Sequence, residues 1–245
     1  MNVHVFVDGF NLYRGAREIA GAQPGWKWLN IKALAPTLAV DEWGADATIG
    51  RVVYCTAPLK PDPTNPGQVG RQQNFIAAMR AHGSIDHLEN GRFIEKVKTR
   101  PLARRKKNGK PELVTADYPV LVKDAANINV PGAIFMVTVA DREEKGSDVN
   151  VATHLLLDAL GQQMDAALVI SNDSDLALPV REVRKRMPLG IVNPGRGFTA
   201  GSLQHDPATS VPGQWERRLT FHDLAAHQMP DPVVDGRTYT KPADW

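Results

Sequence analysis

Ala166-Ala-Leu-Val-Ile-Ser-Asn-Asp-Ser-Asp175 runs five apolar residues straight into a polar turn that holds two carboxylates. Both alternating sets of the apolar run are hydrophobic, so a strand here is buried on both faces. Leu176 to Met187 follows with helical spacing, and Leu189 to Asn193 reads as a further short strand. Upstream, Ser147 is an N-cap type that opens a helix to about Leu160, with Val151, Leu155 and Ala159 on one face and Gly161 as its stop. Ala133 to Val139 is a continuous apolar run and is expected to be a strand feeding that helix. At the other end, Val3-His-Val-Phe-Val7 is strand-like, stops at Asp8-Gly9, and leads into a helix from Leu12 to Ala22. Asn30 caps a second helix to about Val40, Thr48 to Thr56 is a strand, and Gln68 to Ala81 is a helix closed by Gly83. Strands alternate with helices throughout. The expected class is α/β, with a mainly parallel central sheet covered on both faces.

The connecting segments are less regular. Pro58 to Pro66 and Pro194 to Pro212 read as loops. Ile85 to Leu88 and Arg92 to Val97 are short strand candidates, Thr99 to Pro111 an exposed loop, and Pro119 to Lys123 an extended stretch. Thr220 to Gln228 is expected to be a last helix before an irregular tail. The expected organisation is one domain over 1–193, interrupted by a basic insertion at about 92–123, with 194–245 packed on it. The 245 residues are 42% hydrophobic and 23% charged, a composition that excludes disordered, collagenous and coiled-coil classes. The one cysteine, Cys55, sits in a strand-like run and reads as a buried small hydrophobe. No apolar run approaches a bilayer span, and the N-terminus lacks a signal-peptide pattern; a cytoplasmic protein is expected.

Carboxylates interrupt the chain where strands end. Asp8 follows the first strand, Asp173 and Asp175 follow the run at Ala166, and Asp148 opens the helix after Ala133 to Val139. In a parallel sheet these ends share one edge, where ligands bind. Four carboxylates there repel one another unless a cation lies among them, and an all-oxygen set suits Mg²⁺ or Mn²⁺. Each has a plainer reading: Asp8-Gly9 is a common turn pair, Asp148 favours a helix dipole, and Asp173 and Asp175 suit turns and caps.

Phe6-Val-Asp-Gly-Phe-Asn11, Glu144-Lys-Gly-Ser-Asp-Val-Asn-Val-Ala152 and Leu168-Val-Ile-Ser-Asn-Asp-Ser-Asp-Leu-Ala-Leu-Pro179 resemble the three motifs of the NYN domain family, bacterial stand-alone type. That family is similar to PIN domains and FLAP-type nucleases. The resemblance implies a PIN-like three-layer α/β/α sandwich and a metal-dependent endoribonuclease, a hydrolase of RNA phosphodiester bonds. It implies Asp8, Asp148, Asp173 and Asp175 as the metal-binding and catalytic carboxylates, with magnesium or manganese as cofactor. Asn11 is implied to orient water or phosphate. Family members often carry Gly at the place of Asn172 and an aromatic at that of Leu176; neither departure removes a carboxylate. Glu144 reads as structural or supporting.

Arg92, Lys96, Lys98, Arg100, Arg104, Arg105, Lys106, Lys107 and Lys110 crowd into one segment with a single acid, Glu95. Net charge over the chain is only +2, so this segment is expected to bind RNA phosphates, with Lys145 as a further contact. The plain reading is a solvated loop. Aromatics are sparse there (Phe93, Tyr118), which favours backbone tracking over base readout. The seven histidines show no ligand spacing with the cysteine. A non-catalytic RNA-binding or protein-interaction module and a DNA nuclease stay open as alternatives. A haloacid-dehalogenase-like phosphatase needs an acid two residues after Asp8, where Phe10 stands. The oligomeric state is left open, a homodimer included.

Overall fold

The computed structural model describes residues 1–116, 121–243 and 245. The strands are β1 (Asn2–Asp8), β2 (Thr48–Thr56), β3 (His87–Asn90), β4 (Arg92–Pro101), β5 (Ala103–Arg105), β6 (Pro111–Leu113), β7 (Met136–Lys145), β8 (Ala166–Ile170), β9 (Leu189–Asn193), β10 (Trp215–Arg218), β11 (Val233–Asp235) and β12 (Arg237–Tyr239). The helices are α1 (Gly9–Ala20), α2 (Ile31–Trp43), α3 (Gln68–His82), α4 (Ser147–Leu160), α5 (Ala177–Arg184) and α6 (Phe221–Ala226). Two compact units result: Met1–Phe93 with Glu144–Trp245, and Ile94–Glu143.

The larger unit is built on a six-stranded sheet of order β10-β9-β8-β1-β2-β3, every pairing parallel. Strand order reverses between β1 and β8, which makes the carboxyl ends of those two strands a topological switch point. Helices cover both faces. On one face, Val5, Val7, Tyr54, Leu168 and Ile170 pack with Leu12 and Ala16 of α1, Leu34 and Leu38 of α2, and Met79 of α3. On the other, Phe6, Val53, Cys55, Val169 and Ile191 pack with Val151 and Leu155 of α4 and Val180 and Val183 of α5. The α/β expectation holds, and β2 and β9 begin and end where the sequence places them.

Local chemistry sets the helix starts. Asp8 accepts from the Asn11 backbone N–H, so α1 begins at Gly9, three residues before its apolar periodicity. Asn30 caps α2 through Ala33 N–H, as its residue type predicts, and Gly83 closes α3 at φ 73°. At α4, Gly146 with φ 98° takes the cap position in place of Ser147. Thr220 and Asp223 form a reciprocal capping box on α6.

The smaller unit holds most of β4 and β7, paired in a two-stranded sheet, and the β5-β6 hairpin. Here the structure corrects three expectations. The apolar run at Ala133 is not a core strand: Ile134, Met136, Val137 and Val139 are exposed, and the strand begins at Met136 and pairs only with β4. Hydrophobic content without burial misled the reading. Thr99 to Pro111 is not a loop but the end of β4 and all of β5, turning at Gly109 with φ 82°. The expected extended run 119–123 begins outside the described residues. In the larger unit, β10 and the β11-β12 hairpin lie where no strand was read, and the helix expected from Leu176 is split into a 3-10 turn, Ser174–Leu176, and α5. Among the described residues no helix is long and apolar enough to cross a membrane.

Candidate functional site

At the switch point, one network ties β1 to the turn after β8. Asp8 Oδ1 accepts from Asn11 N–H at 3.0 Å, and Asp8 Oδ2 accepts from the Ser171 hydroxyl at 3.3 Å. Ser171 Oγ accepts in turn from Asp173 N–H, and Asn11 Oδ1 accepts from Asn172 N–H at 3.0 Å. Asp173 Oδ1 accepts from Asp175 N–H and so opens the 3-10 turn. Asp8 is only 5% exposed. Burial raises its pKa to about 6; the Asn11 N–H opposes this, Asp173 adds to it, the Ser171 hydroxyl opposes it, and Glu144 adds to it.

Two of the predicted carboxylates meet in this network. Asp8 and Asp173 come together, and both cap the element that follows them. Asp175 lies within the 3-10 turn, and Asp148 in the first turn of α4. The strand that was to carry Asp148 to this edge is outside the six-stranded sheet. Glu144 does reach Asp8 electrostatically, and its Oε1 accepts from the Ser147 N–H and hydroxyl, capping α4. Asn11 spends its side-chain carbonyl on holding the turn after β8.

A second feature lies on the α1 face of the sheet. A cavity of about 480 Å³ is walled by aromatic rings, among them Phe10, Tyr13, Tyr54, Phe75, Phe93 and Trp245. Arg14, Arg17, Lys27 and Arg71 add positive charge to the same walls. Tyr13 meets Trp26 at a tilt with ring centroids 5.5 Å apart, Phe10 meets Phe93 edge-on at 5.6 Å, and Phe75 meets Trp245 at 5.6 Å. Lys27 Nζ lies 5.6 Å from the Trp245 ring. Gly9 makes room for this wall: a Cβ there would stand 2.6 Å from the Tyr54 ring. Burial pushes the Tyr54 phenol far above its usual range, so it is a neutral donor at physiological pH. A cavity of this size, apolar with a few charges, suits a small aromatic anion.

On the opposite face, His87 and Glu89 project side by side from β3, two residues apart. Their strand neighbours, Val53 and Cys55, belong to the core under α4. His87 Nε2 and His154 Nε2 each lie 3.2 Å from Glu89 Oε2. Among the described residues this is the set of three that could hold a metal ion, their ligand atoms all within 4.8 Å of one another. Sequence reasoning passed it over. The His-x-Glu spacing on a strand was the available signal, but His154 comes from a helix 65 residues beyond Glu89. Cys55, between Asp8 and Glu89 in register, has its thiol pushed up to about 12 by burial, then by those two carboxylates.

In the smaller unit, several cations of the basic segment are matched by acids. Lys96 and Lys98 pair with Glu143, Lys98 and Arg100 with Asp141, and Arg104 and Lys106 with Glu112. Arg105, Lys107 and Lys110 belong to the hairpin and its turn, and Arg92 stands at the start of β4 in the larger unit.

No family model matches the chain. The chain is 25% identical over 264 aligned positions to 6-hydroxy-3-succinoylpyridine 3-monooxygenase HspA of Pseudomonas putida, covering all of this chain and 75% of that protein. Among solved structures it is similar to a protein of unknown function from Vibrio parahaemolyticus, with 14% identity, TM-score 0.44 and coverage of 88% of this chain and 91% of that one. The likeness to a monooxygenase overturns the expectation of a ribonuclease, and with it the hydrolase and nuclease reading. Hydrolysis of a phosphodiester moves no electrons, whereas a monooxygenase consumes O₂ and reducing equivalents, so the two are different reaction classes.

Proposed function

We propose that this chain is a monooxygenase acting on a heteroaromatic ring with an anionic side chain, held in the aromatic cavity on the α1 face. The observation that carries the reading is the cavity itself: aromatic side chains line it to receive a ring, and guanidinium groups in the same lining can hold a carboxylate. The similar Pseudomonas protein is named for a hydroxylated pyridine bearing a succinoyl chain, a ligand with those two parts. In such a reaction one oxygen atom of O₂ enters the ring and the other leaves as water, at the cost of two electrons and two protons. Tyr54, protonated and buried, donates a hydrogen bond to a ring oxygen or nitrogen. Arg14 and Arg17, one turn apart on α1, are placed to meet the carboxylate. The aromatic walls exclude water from the ring. We further read the sheet and its two helical layers as the PIN-like sandwich, on the order of the three acidic motifs along the chain.

Calorimetric titration with 6-hydroxy-3-succinoylpyridine tests this reading. Binding is expected to weaken at least about tenfold, or ~1.4 kcal/mol, when the carboxylate is replaced by its amide or when Arg14 and Arg17 are both changed to Ala. Equal affinity for acid and amide, or no binding at all, would overturn it.

A further inference from the structure

We propose that His87, Glu89 and His154 form a binding site for one divalent first-row transition ion. The three side chains lie on the α4 face of the sheet, across it from the aromatic cavity, so the proposal stands apart from the oxygenase reading.

Three observations support the site. First, the two imidazole Nε2 atoms converge on one carboxylate oxygen, each at 3.2 Å. Two ligand atoms about 2.1 Å from a common ion, at tetrahedral to octahedral angles, stand roughly 3.0–3.4 Å apart. The two nitrogen–oxygen separations match the edges of a coordination polyhedron, and all three ligand atoms lie within 4.8 Å of one another. Second, the ligand set is two neutral imidazoles and one carboxylate, which suits Fe²⁺, Co²⁺ or Zn²⁺ rather than Mg²⁺ or Ca²⁺. Three protein ligands leave at least one position for water or a substrate. Third, the ligands come from firm elements. His87 and Glu89 are fixed by parallel pairing to β2, and His154 sits on α4 between Val151 and Leu155, both fully buried. Side-chain exposure of 38% at His87, 40% at Glu89 and 17% at His154 leaves an entry path for a hydrated ion.

The site also has electrostatic company. Asp8, Cys55 and Glu89 are consecutive partners across β1, β2 and β3. A cation at Glu89 would face an acidic strand edge, which favours its approach.

The test is titration of EDTA-treated full-length protein with Co²⁺, followed by calorimetry and visible absorption. The proposal expects one Co²⁺ per chain, with d–d bands characteristic of nitrogen and oxygen ligands. His87→Ala and His154→Ala should each weaken binding at least about tenfold, with unchanged circular dichroism. Asp173→Asn, at the separate acidic network, should leave affinity within about twofold. If a histidine variant fails to fold, protection of the wild-type rings decides instead: bound Co²⁺ should shield His87 and His154 from diethyl pyrocarbonate, read by mass spectrometry. Absence of saturable binding, loss of binding in Asp173→Asn with the histidine variants unaffected, or no protection of the two rings would overturn the proposal. These readouts are independent of turnover, so failure of the oxygenase reading and failure of the metal site are distinguishable.

Discussion

Asp8 holds the start of α1 with one oxygen and the turn after β8 with the other, while burial works against its charge. Its pKa rises from 3.8 to about 6 in the folded protein. Between those values the native state keeps the proton that the unfolded chain has lost. Stability contributed by this group is therefore full below about pH 4 and falls as pH rises towards 6, by up to roughly 3 kcal/mol. Asp8→Asn keeps an acceptor for Asn11 and cannot ionise. Urea unfolding at pH 4 and pH 7 should show the variant gaining on wild type as pH rises; a difference independent of pH would contradict this. Gly9, the next residue, is fixed by contact rather than by backbone angle. Gly9→Ala places a methyl against the Tyr54 ring. It should cost about 1–3 kcal/mol in thermal unfolding and weaken ligand binding in the cavity, because Tyr54 must move. The sequence shows Asp8-Gly9 as a turn pair, but the partner that forbids a side chain is 45 positions away.

Between elements, the most exacting contact is at Asp158 of α4. It accepts from His4 Nδ1 of β1 at 2.7 Å and from Arg51 of β2 at 3.1 Å, and is 3% exposed. Asp158→Ala leaves His4 buried without its acceptor and Arg51 without its counter-ion. The expected loss is about 3 kcal/mol, at the low end for a broken buried pair because Arg51 keeps access to water. Chemical denaturation at neutral pH measures it; a loss below about 1 kcal/mol would mean the pair is not a lock between α4 and the sheet. Elements were legible where a cap or a buried apolar run marked them. β8 shows its buried nature in five apolar residues, and α2 shows its start in Asn30. β7 was misplaced because its apolar residues face outward, and hydrophobicity alone carries no direction. β10 was missed because Trp215-Glu-Arg-Arg218 is mostly charged, as an edge strand is free to be.

At the scale of the molecule, the parallel α/β architecture was legible from alternation alone. The chemistry was not. Of the acidic residues that read as a metal cluster, Asp8 and Asp173 each cap the element that follows, and Glu144, read as a supporting residue, caps α4. The aromatic cavity draws its walls from α1, β2, α3, the start of β4 and distant loops, and the histidine-carboxylate set joins β3 to α4. Such sites depend on contacts far apart in sequence, which periodicity cannot reveal. The activity proposed for the aromatic cavity is oxygenation of an aromatic anion. It is tested most directly by supplying 6-hydroxy-3-succinoylpyridine, a two-electron donor and ¹⁸O₂, then weighing the product. One ¹⁸O atom is expected to enter the ring, and this labelling is lost in the Arg14→Ala, Arg17→Ala double variant. Product labelled only from H₂¹⁸O, or substrate bound in the cavity and recovered unchanged under every donor, would contradict it.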